Sequence, residues 1–232
     1  RSGQTKYTAA QGIQPLLEKI SAYYRDQGLN VPISRIQITS GASGGLVLLA
    51  GLLLDPGDRM LITDPWYPCN KVFARLAGAD TKAIALPAQR GFQLALADVE
   101  SAWETQDRGI LLASPANPTG TMLAASTLSE ISKWVARRDG FVILDEIYQG
   151  LVHDEAPYTS GLAVSDDLFV LNSFSKFFGM TGWRLGWVVI PENATEGFTK
   201  LAQNLVISPS SIAQSAALEA FSEESMVVHR QR

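Results

Sequence analysis

Residues 168–190, LFVLNSFSKFFGMTGWRLGWVVI, constrain the fold more than any other stretch of the chain. Two apolar runs, 168–171 and 187–190, bracket Asn172-Ser173-Phe174-Ser175-Lys176 and Gly182-Trp183-Arg184-Leu185-Gly186. Apolar runs this short, bounded by polar residues and glycine, suit strands buried on both faces. Strands of that kind belong to α/β domains, which place ligands at strand ends. Two hydroxyls and a guanidinium suit a phosphate. A lysine against low-dielectric walls loses its proton readily and becomes a nucleophile. Taken alone, the stretch fits a solvated lysine and a surface arginine equally well, so the remaining segments have to decide.

They repeat one pattern. Residues 12–27 carry Ile13, Leu16, Leu17, Ile20, Tyr23 and Tyr24 at helical spacing, with Gly28 placed to end the helix. A short strand, 36–39, leads into Ser40-Gly41-Ala42-Ser43-Gly44-Gly45, and a buried helix is expected over 46–54. A strand, a small-residue turn and a helix aim backbone N–H groups at an anion; the glycines match neither a dinucleotide nor a P-loop fingerprint, and a tight turn alone also needs small residues. Strands at 60–63, 81–86, 110–113 and 141–144 alternate with helices at 71–77, 96–104 and 124–138. Helices at 192–206 and 211–221 follow the last strand, the second capped by Ser210 or Ser211. The loop after 60–63 holds Trp66 and Tyr67, either able to cover a flat ligand or to pack at an interface. The loop after 110–113 holds Asn117 between two prolines, which predict an extended, rigid path. The strand 141–144 ends on Asp145-Glu146-Ile147-Tyr148, where the first acid either caps the turn or faces a cation. The expected class is α/β, a three-layer sandwich with a mostly parallel mixed sheet.

Composition narrows the function. With 46% hydrophobic and 18% charged residues over 232, the chain can bury a substantial core. The net charge of −4 and the lack of a basic run argue against nucleic acid as a partner. The longest apolar stretch, 46–54, is broken by Gly51 and too short for a membrane span. One cysteine, Cys69, excludes an internal disulfide and fits a reducing, cytoplasmic compartment. The expected organisation is a helical segment over 1–30, a large ligand-binding domain over 31–210, and at 211–232 the start of a helix leading to a small C-terminal domain outside this chain.

Four strand-end loops thus carry polar chemistry: 41–43, Asn117, Asp145 with Tyr148, and 173–176. Together they ask for a phosphate, an aromatic ring, a cationic ring nitrogen and an amine nucleophile, which is the set that pyridoxal 5′-phosphate requires. At these residues the chain resembles the fold-type I, class I/II aminotransferases. Asn117-Pro118-Thr119-Gly120, Asp145-Glu146-Ile147-Tyr148, Ser173-Phe174-Ser175-Lys176 and Gly182-Trp183-Arg184-Leu185-Gly186 occur in that family's order, each at a strand end. The resemblance runs from Tyr7 to about Phe221.

The resemblance implies a role for each residue. Lys176 is the lysine that binds the cofactor covalently and then serves as the base. Asp145 faces the ring nitrogen, and Asn117 and Tyr148 hold the ring's phenolic oxygen. Ser173, Arg184 and, as a third, Ser175 hold the phosphate, with Gly41, Ala42 and Ser43 forming its cradle. Tyr67 rather than Trp66 stacks on the ring, and Tyr7 reaches the cofactor phosphate of a neighbouring subunit in a homodimer. The implied reaction moves an amino group from an L-amino acid to a 2-oxo acid by a ping-pong route. The same core serves β-eliminating C–S lyases and the ligand-sensing domains of some transcription regulators. The family's arginine for the substrate carboxylate has no counterpart in this sequence, so none is assigned.

Overall fold

The computed structural model describes residues 5–152 and 158–231. Residues 1–4 and 232, parts of the terminal segments expected above, lie outside the described residues. Seven strands form one sheet: β1 (Ile36–Thr39), β2 (Arg59–Asp64), β3 (Asp80–Ala85), β4 (Asp107–Ala113), β5 (Phe141–Asp145), β6 (Phe169–Ser173) and β7 (Gly186–Val189). Their order is β1-β7-β6-β5-β4-β2-β3. β7 is antiparallel to both its neighbours, and every other pairing is parallel.

The apolar runs are continuous because both faces of the sheet are covered. Val142 and Leu144 of β5 face one layer, and Ile143 faces the other. Leu112, Val170 and Trp187 share the first face, while Leu111, Leu171 and Val188 share the second. The first face is packed by α1 (Gln14–Arg25), α4 (Leu96–Ala102), α5 (Ala125–Ala136) and α7 (Ser211–Glu219). The second is packed by α2 (Gly41–Leu53), α3 (Asn70–Leu76) and α6 (Thr195–Leu205). Each large side chain sealed between these layers contributes roughly 1.5–3 kcal/mol of transfer free energy. A last helix, α8 (Glu223–Arg230), is capped by Ser222, whose hydroxyl accepts from Ser225 N at 3.2 Å. Among the described residues no helix is long and apolar enough to cross a membrane.

Three local expectations change. The helix expected over 46–54 begins earlier, at Gly41, so the small residues form its first turn and not a loop before it. Thr39 Oγ1 donates to Gly41 O at 2.9 Å and shapes that entry. The helix at the N-terminus spans Gln14–Arg25, and Gly28 closes it as expected: Leu29 N donates to Tyr24 O and Gly28 N to Arg25 O, with Gly28 at φ +78°. The Asn117 loop is not extended. Gly120 N donates to Ala116 O at 2.8 Å and Ala116 N to Thr121 O at 2.9 Å, so it folds back on itself.

Candidate active site

Register brings the strand ends together. Ala113, Asp145 and Leu171 lie side by side across β4, β5 and β6. Thr39, Gly186 and Ser173 lie side by side across β1, β7 and β6. Because β7 runs against its neighbours, its beginning meets their ends. Arg184, just before β7, therefore joins the same edge as Gly41, Ser173 and Asp145.

A cavity of about 180 Å³ opens there. Ala42, Ser43, Tyr67, Asn117, Asp145 and Tyr148 line it, as do Ser173, Ser175, Lys176 and Arg184. Gly41 lies beneath: a Cβ there would meet Arg184 Nη2 at 2.8 Å, so the glycine leaves room for the guanidinium across the start of α2. Its φ of +72° also suits glycine. Gly186 is demanded by close approach, since a Cβ would sit 2.9 Å from both Ala42 N and Asn172 O. Tyr7 does not line the cavity. It is 81% exposed, and its neighbour Thr8 donates through its backbone N to Ser208 Oγ at 3.4 Å. Trp66 packs against the second core layer with Lys71 Nζ 4.0 Å above its ring, whereas Tyr67 borders the cavity.

One end of the cavity is electropositive. Ser40 makes no side-chain capping bond to α2, so the first N–H groups of this helix carry their partial positive charge toward the cavity. Arg184, held in a left-handed conformation at φ +52°, donates to Thr181 O at 2.9 Å beside them. Ser173 Oγ donates to Leu185 O at 3.3 Å and accepts from Ser175 N at 3.0 Å, which fixes the turn leading to Lys176. Helix N–H groups, a guanidinium and hydroxyls brought this close repel or compete unless an anion sits among them.

The other end holds the acid. Asp145 Oδ1 accepts from Ile147 N at 3.0 Å. Burial pushes its carboxyl up to about 6 against the opposing pull of that N–H and of the Lys176 charge. Glu146, next in sequence, points the opposite way. It accepts from Ser160 Oγ at 2.9 Å and Gly161 N at 2.6 Å, and burial pushes it up to about 7. Alternation at the strand end thus sends one acid to the cavity and the other into the core. Asn117 Nδ2 donates to Tyr148 Oη at 3.4 Å, and Lys176 Nζ lies 5.4 Å from the centre of the Tyr148 ring. Tyr67 is 44% exposed, and its hydroxyl is pushed above its ordinary pKa first by a hydrogen bond with the Cys69 side chain.

Aromatic residues support Lys176 from behind. Phe174 and Phe178, on either side of it, are buried; Phe174 lies 4.9 Å from Trp187 and 5.1 Å from Phe178 between ring centres. Trp187 Nε1 donates to Tyr24 Oη at 2.9 Å. The sequence reading missed Leu46 and Phe73, which add apolar wall to the cavity. Leu46 stands one helical turn after Ala42, a signal that becomes readable once α2 starts at Gly41.

An α/β sheet with an anion cradle, an amine and a half-buried acid around one strand-end cavity offers groups suited to an anion at one end and a cation at the other. The profile of the family "Aminotransferase class I and II" matches residues 1–231, and the chain belongs to that family. It is 38% identical to the valine–pyruvate aminotransferase of Mycobacterium tuberculosis over 223 residues, covering 95% of this chain and 57% of that protein. It is 37% identical to the (5-formylfuran-3-yl)methyl phosphate transaminase of Methanocaldococcus jannaschii, covering 97% of this chain and 58% of that protein. A crystal structure of an aminotransferase from Mycobacterium tuberculosis superimposes with a TM-score of 0.93 at 36% identity, covering 99% of this chain and 63% of the other. The chain therefore spans a little over half the length of these curated relatives.

Proposed function

We propose that the protein is a pyridoxal-phosphate-dependent transaminase that moves an amino group from an L-amino acid to a 2-oxo acid in two half-reactions. The observation that carries this reading is the arrangement of Lys176 and Asp145 in one cavity with the Arg184–α2 cradle. The residues fit the cofactor by their chemistry. The uncapped α2 N-terminus, Arg184, Ser173 and Ser175 suit its phosphate, and the half-buried Asp145 carboxylate suits a protonated ring nitrogen.

Each residue then has a task. Arg184, Ser173, Ser175 and the N–H groups of Ala42 and Ser43 hold the phosphate. Tyr67 covers one face of the ring. Asn117 and Tyr148 hold its phenolic oxygen. Asp145 keeps the ring nitrogen protonated, because a neighbouring negative charge favours the cationic form. Lys176 Nζ would hold the cofactor covalently and, when free, would take the proton from the substrate α-carbon and deliver it to the cofactor's C4′ carbon. When bound, the cofactor supplies an electron-poor ring that accepts the pair left by that proton.

Residues 31–210 form the cofactor-binding part in this reading, and 211–232 lead toward a small domain. The active unit is a cytoplasmic homodimer with Tyr7 directed at the partner's phosphate; its 81% exposure leaves it available for that contact. The test uses the protein expressed from its complete reading frame. Borohydride reduction with cofactor present, followed by peptide mass mapping, should place the label on Lys176. No label, or a label on another lysine, sinks the reading. Oxo-acid-dependent amino transfer, without release of ammonia, then separates transamination from β-elimination.

A further inference from the structure

Two buried amides bridge the two halves of the site, and neither has a task in the proposed chemistry. Asn172 is 3% exposed and Gln149 4%. Asn172 Nδ2 donates to Gln149 Oε1 at 2.8 Å. Asn172 Oδ1 accepts from Ser173 N at 2.8 Å. Gln149 Nε2 donates to Gln27 Oε1 at 2.6 Å, and Gln27 Nε2 donates to Tyr23 O at 3.0 Å in α1.

The placement of these bonds matters. Asn172 directly precedes Ser173, whose hydroxyl accepts from Ser175 N and so fixes the turn to Lys176. Gln149 directly follows Tyr148, and its backbone N donates to Glu146 O at 2.8 Å, closing the Asp145–Tyr148 turn. One side-chain bond therefore ties the segment bearing the hydroxyls and the amine to the segment bearing the acid and the phenol. Two buried amides are costly unless every polar atom is used, and apolar side chains would fill the same volume at less risk. A satisfied polar bridge instead fixes one relative placement of the two turns.

We propose that Asn172 and Gln149 are positioning residues: their hydrogen bond sets the distance between the Ser173–Lys176 turn and the Asp145–Tyr148 turn. Asn172 acts through Ser173 on the grip of the anion. Gln149 acts through Tyr148 on the surroundings of Lys176 Nζ. Gln27 anchors the bridge to α1. The inference rests on the proposed cofactor reading.

The test measures dissociation constants for pyridoxal phosphate and for pyridoxal, which lacks the phosphate, together with the pH titration of the visible band of the lysine-bound cofactor. Asn172→Ala should lower affinity for pyridoxal phosphate about tenfold and for pyridoxal much less, the loss expected when one hydrogen-bonded anchor of the anion site is freed. Gln149→Met keeps the volume and removes the bond. It should lower the melting temperature, because the buried Asn172 Nδ2 loses its acceptor, yet leave the protein folded, and it should shift the midpoint of the visible titration, because the Tyr148 hydroxyl moves relative to Lys176 Nζ. Wild-type constants and an unshifted titration in a folded Gln149→Met protein overturn the inference, and so does an equal loss for both ligands in Asn172→Ala. A wild-type protein that takes up no cofactor overturns the proposed function as well, so the two failures are distinguishable.

Discussion

Asp145 offers a quantitative test that reads charge burial before any turnover is measured. Its carboxyl is pushed from an ordinary 3.8 up to about 6, chiefly by burial. In the cofactor-free protein the folded state then holds the proton more tightly than the unfolded chain. Stability from this group is present below about pH 4 and is lost as pH rises through about 6. At about 1.4 kcal/mol for each tenfold change in proton affinity, the full effect is on the order of 3 kcal/mol. Asp145→Asn removes it and retains an oxygen to accept from Ile147 N. Burying the amide takes back roughly 1 kcal/mol. The cofactor-free variant should therefore be more stable than wild type by about 2 kcal/mol at pH 8, with the gap shrinking toward pH 4. Urea denaturation at both pH values measures this, and the titration of Glu146 largely cancels because both proteins share it. Added pyridoxal phosphate should reverse the order, since only the carboxylate gains a cationic partner. A variant that is equally or less stable than wild type at pH 8 without cofactor would refute the reasoning.

Three further outcomes follow from the same geometry. Lys176→Ala should abolish the visible band of bound cofactor and all amino transfer while preserving the fold, as read by absorbance and circular dichroism. Gly186→Ala should cost about 3 kcal/mol, because the new Cβ meets backbone atoms that cannot step aside, whereas Gly41→Ala should cost about 1–2 kcal/mol from its positive φ and weaken the phosphate grip; thermal melts and cofactor titration separate the two. Tyr24→Phe leaves the buried Trp187 Nε1 donor unpaired and should lower stability by about 1–3 kcal/mol in denaturant unfolding.

Much of this molecule was readable in one dimension. The short apolar runs specified strands buried on both faces, and Ile143 against Val142 and Leu144 shows the period-two packing that such runs need. The αL glycine at position 28 and the Ser210 cap, whose hydroxyl accepts from Ala213 N at 3.3 Å, were local and so were legible. The start of α2 was misjudged because Gly41-Ala42-Ser43-Gly44-Gly45 has poor intrinsic helix propensity. What makes it helical is tertiary: β7 crosses so closely at Gly186 that only small residues fit there. The Asn117 loop differs for another reason: the bonds that fold it back are local, between backbone atoms of Ala116, Gly120 and Thr121, and side-chain identity does not announce them.

The stretch over 168–190 marks the same division. Its residues alone determined that two buried strands flank a pair of hydroxyls, a lysine and an arginine. Side-chain chemistry and short-range pattern suffice for that. The tertiary structure decided that β7 runs antiparallel, and only this direction sets Arg184 beside the start of α2 rather than at the opposite edge of the sheet. It also decided that Asn172 and Gln149 meet, which no local pattern announces, because they stand on different strand ends and are paired by the packing of the sheet.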